Sequence, residues 1–335
     1  MLPVAHIGYQ WVVDLKDVLD KRLLLVTGKG GVGKSTLAAG LALCGARAGR
    51  RTCLVEVEGR QTFSAMFETA PWDFEEREFR PGLHGLSIDP AASMTEYLSM
   101  FYGAQRITRL VARTPAVEFA TQAAPGIKDV LLIGKVKEME RRRRPDGRFA
   151  YDLIVVDAPP TGRIVNFLAA PDATTELVNV GPVRQQAQTV IDMLTDAERT
   201  AVMLTTLLEE MPITETVDSI AALRDLGVPL GPILVNRVAQ PAMDPPTMKA
   251  SEALTVADVL TALEEGGAAA DAAVAEELLS LGAGHRSRLD LQERMRTRLA
   301  DEADLSTVEL PFVAAASTGQ EVTVAVAEAL RAVLR

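Results

Sequence analysis

The sequence predicts an α/β fold: a central, mostly parallel sheet flanked by helices, with a helical insertion beside it. Three observations predict it. Short apolar runs such as 23–26 (LLLV) and 153–156 (LIVV) alternate with longer helix-forming stretches. Strands buried on both faces read as such runs, and their alternation with helices favours parallel pairing under helical layers. A glycine-rich turn, 28–33, joins the first run to an Ala/Leu-rich helix. Asp157 ends the cleanest run, at the kind of strand tip where ligands gather in open parallel sheets.

Taken in order, residues 23–26 form the first strand, 37–47 the helix after the turn, and 52–57 the second strand. Residues 86–88 are a candidate third strand, followed by helices over 91–102 and 126–144. After 153–156, strands are expected at 201–206, 232–235 and 308–310, with helices between them. The stretch 63–148 carries few strand signals. It reads as a mainly helical insert within a single domain spanning 1–335. Segment 241–284, rich in Ala, Glu and Asp, reads as a flexible or variable helical excursion. Near the end, Val322, Val326, Leu330 and Val333 recur at helical spacing with few basic residues beside them. That favours a docked helix over one lying on a membrane.

Composition narrows the function. The 335 residues are 48% hydrophobic, enough for a large core. The net charge of −10 argues against direct binding of nucleic acid or anionic lipid, both of which need a basic surface. The arginine run 141–144 reads as a solvated helix C-terminus, where cations meet the negative end of the helix dipole. Cys44 and Cys53 sit in apolar runs and in no CxxC pair, so both read as buried. No basic leader or spanning run is evident, so a cytoplasmic location is expected.

The turn matches Gly28-x4-Gly33-Lys34-Ser35, after a strand and before a helix, which is the context a P-loop requires. The backbone of Gly28, Gly30, Gly31, Val32 and Gly33 would cradle phosphates, with the positive end of the helix behind them. Lys34 would reach the β- and γ-phosphates, Ser35 would ligate Mg²⁺, and Thr36 would touch the α-phosphate. The expected ligands are therefore ATP or ADP with Mg²⁺. Lys29 is a second lysine in the loop. It reads either as a charge offered across a dimer interface, like an arginine finger, or as a solvated loop lysine. Asp157 would hold Mg²⁺ through water. The turn after it, Ala158 to Gly162, suits a γ-phosphate sensor, with Thr161 a candidate N-cap. Glu56 and Glu58 share a strand face. Glu58 is the candidate for positioning the attacking water, and an exposed strand-end carboxylate is the competing reading.

The Lys29-containing loop, Asp157-Ala-Pro-Pro-Thr-Gly-Arg163 and Leu234-Val-Asn236-Arg237 together resemble the arsenite-pump ATPase family, which includes targeting factors for tail-anchored membrane proteins. Ala124-Pro-Gly-Ile-Lys-Asp-Val and Leu208-Glu-Glu-Met-Pro-Ile-Thr-Glu-Thr add to the likeness. The Ala/Arg-rich composition has an actinobacterial look. The resemblance implies a P-loop NTPase fold, ATP hydrolysis, and dimers that close on ATP. It implies that Lys29 acts in trans, that Glu58 stands at switch I where an aspartate is usual, and that Asp157 heads switch II. It also implies that Asn236 and Arg237 form the adenine-reading segment and that the loop after Pro311 packs on the purine. Departures are as informative. The CxxC zinc staple and the arsenite cysteines are missing, and Glu58-Gly59-Arg60-Gln61 replaces the usual switch I string. Arsenite is therefore not the expected cargo.

The partner would be another copy or a paralogous ATPase, and the client an apolar-helix protein. Met94, Leu98, Met100, Phe101, Tyr102, Ile107, Leu110 and Val111 form a stripe that reads either as a client groove or as ordinary core. Two alternatives to a client-carrying switch stay open. One is a regulatory or partition-type ATPase meeting membrane or DNA through a protein partner. The other is a hydrolysis-poor subunit of a heterodimer.

Overall fold

A computed structural model describes residues 15–57, 59–102, 126–177, 182–313 and 318–333. The strands are β1 Leu23–Gly28, β2 Thr52–Glu56, β3 Arg77–Arg80, β4 Leu83–Ser87, β5 Leu153–Asp157, β6 Thr200–Thr206, β7 Ile233–Val238 and β8 Thr307–Pro311. They form one sheet of order β3-β4-β2-β5-β1-β6-β7-β8. Every neighbouring pair is parallel except β3–β4. Strands β1, β2, β4 and β6 are buried along their whole length, as a parallel sheet covered on both faces requires.

The described helices are α1 Leu15–Leu19, α2 Lys34–Arg47, α3 Thr62–Met66, α4 Pro90–Tyr102, α5 Ile127–Arg141, α6 Thr161–Leu177, α7 Pro182–Thr195, α8 Glu210–Asp225, α9 Pro245–Ala250, α10 Val256–Glu265, α11 Ala272–Ala303 and α12 Gly319–Val333. Strand alternation divides the core between the two faces. Leu23, Leu25 and Val55 join Leu132, Phe167 and Ile213 on one side. Leu24, Val26 and Leu54 join Leu37, Leu41, Val326 and Leu330 on the other. The last helix is docked: a side chain added at Gly40 of α2 would lie 2.8 Å from Val326.

Two expectations need revision. The span 63–148 contains β3 and β4, so part of it belongs to the sheet. The candidate strand at 86–88 is β4, which runs Leu83–Ser87 and is preceded by β3. His84 and Gly85 interrupt its apolar pattern, and tertiary packing explains the glycine. A Cβ at Gly85 would stand 2.5 Å from the Trp72 ring. Strand β3 is polar and partly exposed, so it carries little periodic signal. Segment 241–284, read as a helical excursion, is helical: it folds into α9, a short 3-10 turn, α10 and the start of α11. Two cap signals mark its helices. Asp244 accepts from the Thr247 N–H at 3.0 Å, and Thr255 with Asp258 forms a capping box. Ile107, Leu110 and Val111 of the apolar stripe lie outside the described residues, as do the side chains of residues 98–102.

The opposite end of the sheet from the glycine loop is tied by charge. Glu140 is 2% exposed and receives Arg22 Nε at 2.8 Å and Arg199 Nη2 at 2.7 Å. Burial opposes its ionisation, but hydrogen bonds from Arg199 and Arg22 outweigh that, and its pKa falls below the ordinary 4.5. A depressed carboxyl adds stability above its unfolded pKa and loses it as pH falls through the folded one. Acid unfolding should therefore steepen below pH 4.5. Glu140→Ala should cost about 2–4 kcal/mol in urea denaturation, on the low side for a buried pair because Arg199 still reaches solvent. A neutral result would show that the pairing adds nothing. The arginine run is engaged locally rather than simply solvated. Arg142 pairs with Glu76 at 2.5 Å, Arg144 with Asp146 at 3.3 Å, and Arg143 covers the Phe149 ring at 4.0 Å.

Candidate nucleotide site

The glycine loop connects β1, near the middle of the sheet, to α2. Gly28, Gly31 and Gly33 have φ of 150°, 87° and 97°, values that side-chain-bearing residues rarely adopt. Two of these positions also lack room. A Cβ at Gly28 would lie 2.2 Å from the Thr205 carbonyl oxygen, and one at Gly33 would lie 2.3 Å from Asn236 Nδ2. At Gly30 and Gly31 nothing stands within 4 Å, so that side of the loop is open. Lys34 is nearly buried, and its Nζ donates to the Lys29 carbonyl at 3.5 Å. Thr36 follows in the first turn of α2.

Parallel register brings the strand tips together. Asp157 lies beside Val26 of β1 and Glu56 of β2. The Ser35 hydroxyl donates to Asp157 Oδ2 at 2.6 Å. The loop after Asp157 is held against β1, with Ala158 N–H donating to Val26 O at 2.9 Å and Thr27 Oγ1 to Pro159 O at 2.6 Å. The Lys29 ammonium is ion-paired with Glu215 of α8. The other oxygen of Glu215 accepts from the Thr161 hydroxyl at 2.9 Å. Thr161, expected only as a cap, thus reaches across to another helix.

On the far flank, Asn236 Nδ2 donates to Val32 O at 2.9 Å, and its Oδ1 accepts from Arg237 N–H at 2.9 Å. An amide has two donor hydrogens and two acceptor sites on its oxygen, so each end keeps capacity for a ligand. Arg237 is exposed with φ 54°. Pro311 of β8 pairs with Val238, and Phe312 beside it is 59% exposed. Asn236, Arg237 and Pro311 therefore stand together on one side of the P-loop.

The pattern described as anion-transporting ATPase matches residues 21–181 and 175–265. The chain belongs to the anion-transporting ATPase family. The ATPase BagA of Mycobacterium tuberculosis is 42% identical over 300 residues, spanning 87% of each chain. The arsenical pump-driving ATPase of Escherichia coli is 23% identical over 255 residues, covering 70% of this chain and 41% of that one. A second protein of that name, from Acidiphilium multivorum, is 23% identical over 236 residues, covering 64% and 39%.

Glu58 lies outside the described residues. Its neighbour Glu56, 2% exposed, accepts the backbone N–H groups of Gln61 at 3.0 Å and Thr62 at 2.8 Å. Glu56 thereby anchors the end of the loop that follows β2. Arg163 of α6 donates to Asp129 of α5 at 3.2 Å. A cleft of about 230 Å³ between the loops after β2 and β5 and helices α5 and α6 is lined by Val57, Arg60, Lys128, Leu132, Pro159 and Arg163. Both cysteines are buried and free, and burial pushes the Cys44 thiol up to about 11. Neither is a ready thiolate ligand. No described helix is long and apolar enough to cross a membrane.

The residues present fit Mg²⁺ and a nucleotide. Ser35 and Asp157 supply hard oxygens in contact with each other, the donor type magnesium takes. The open side of the loop leaves its backbone N–H groups room for phosphate oxygens. Sequence reasoning missed Glu215. It lies in a stretch already noted for its likeness to the family, but nothing in its local pattern indicates a bond to a loop 186 positions away.

Proposed function

We propose that this ATPase is a dimeric switch in which Mg-ATP closes two copies and the change is passed to a partner protein held by the segment between the switches. The observation that carries the reading is the P-loop with both lysines, beside a Ser35–Asp157 pair that fits Mg²⁺. Lys34 binds the β- and γ-phosphates, and Asp157 holds the water shell of the metal. When bound, Mg²⁺ would offset the charge that develops on the phosphates. Asn236, Arg237 and the loop after Pro311 take the base.

The link to the partner runs through α6, which begins right after switch II. Arg163 of α6 holds Asp129 of α5, and Ile164 and Phe167 share a core with Leu132 and Ile133. A shift of switch II therefore moves α5. The names of the pump relatives do not transfer their cargo, because the buried thiols Cys44 and Cys53 offer arsenite no ligand set. Light scattering of the purified chain tests the reading. Twice the protomer mass is expected with Mg-ATP and not with Mg-ADP. Monomer in both conditions would sink the dimeric switch.

A further inference from the structure

We propose that Glu215 is a latch: it holds Lys29 within its own protomer and releases it when switch II moves. The proposal rests on the reading of Lys29 as a residue that serves the partner's phosphates. The geometry is a bridge between three elements. One Glu215 oxygen is paired with the Lys29 ammonium, and the other accepts from Thr161 Oγ1 at 2.9 Å. Lys29 belongs to the phosphate loop and Thr161 opens the helix behind Asp157. Glu215 stands on α8, whose Pro212, Ile213, Thr216, Ser219, Ile220 and Leu223 are buried. The carboxylate therefore sits on a fixed platform, between a loop lysine and a residue that follows the switch.

An ammonium has three donors, but reaching toward a phosphate of the neighbouring protomer would draw it off Glu215. Service across the interface therefore opens the cis pair. The pair is suited to opening. Lys29 is 29% and Glu215 35% exposed, and ion pairs that reach solvent are weakened by water and salt. Phosphate oxygens carry more charge and would draw the lysine away. Thr161 makes release sensitive to the nucleotide in the same protomer. While Thr161 stays bonded, the carboxylate is oriented toward Lys29. When switch II shifts, the carboxylate loses that support. The hydrogen bond from Lys29 is also the leading reason the Glu215 carboxyl titrates below its ordinary value. It remains charged, and able to hold the lysine, at neutral pH.

The experiment follows Lys29 directly. Nucleotide-free protein is treated briefly with an amine-acylating reagent. Labelling of Lys29 is read by peptide mass spectrometry against exposed Lys249. Glu215→Gln removes the charge and keeps a similar shape. It should raise Lys29 labelling by about two- to fivefold, the factor expected for a partly exposed ion pair. Glu215→Asp should restore part of the protection. Unchanged labelling in Glu215→Gln would overturn the latch. The second readout is ATP turnover against protein concentration. Glu215→Gln should lower the half-saturating concentration by a similar factor. No shift, or a shift upward, would mean that Glu215 presents Lys29 rather than withholding it, which also overturns the proposal. Lys29→Ala run beside them separates the two ideas. If it leaves turnover intact, the trans-lysine reading fails and the latch has no purpose. If it removes turnover while Glu215→Gln changes nothing, the reading stands and the latch alone fails.

Discussion

Lys34→Ala is expected to cut ATP turnover by roughly 10²–10³-fold, the usual cost of losing one preorganised electrostatic donor at a reacting group. The side chain is nearly buried and its ammonium lies over the loop, against the Lys29 carbonyl. It is therefore positioned before nucleotide arrives, and no other described lysine shares that position. The fold should survive, because α2 is held by Leu37, Leu41, Ala42 and Cys44 in the core under α12. Phosphate release should collapse while circular dichroism and the melting temperature stay close to wild type. Turnover near the wild-type value would remove Lys34 from the phosphate site.

Lys29→Ala should lower turnover by roughly 10³-fold, the low end for a finger residue supplied in trans. Its signature should differ from that of Lys34. Lys29 points to Glu215 within its own chain, so nucleotide affinity of the single protomer should change little. A fluorescent-nucleotide titration would show that. The decisive measurement mixes the two inactive variants. A Lys34→Ala protomer still carries Lys29, and a Lys29→Ala protomer still carries a complete phosphate loop. A mixed dimer thus contains one complete site, and the mixture should turn over ATP faster than either variant alone. A mixture no better than its parts would show that Lys29 acts within its own protomer or not at all.

The glycine loop shows where sequence reading was strong. A phosphate loop is local: its glycines answer to backbone angles, and the lysine, serine and helix follow within a few residues. Gly33 has φ 97°, and no neighbour in space was needed to foresee that. The alternation of buried runs likewise announced β1, β2 and β5, because a sheet covered on both faces leaves the same mark on every central strand. Edge strand β3 left none, since its exposed residues follow no apolar rule. Strand β4 was blurred by Gly85, whose reason is the Trp72 ring packed against it. The helices of 241–284 carried cap signals at Asp244 and Thr255 that composition alone obscured.

By itself the sequence determined the α/β class, the phosphate loop and the strand-end aspartate, because each depends on residues close together in the chain. Only the tertiary structure decided what those parts touch. It set Ser35 on Asp157, wedged Asn236 against Val32, gave the buried Glu56 to the loop after β2, and paired Lys29 with Glu215. The physical reason is one of range. Backbone angles and burial patterns are written locally, whereas ion pairs and hydrogen bonds between distant segments exist only once the parallel register brings the strand tips side by side.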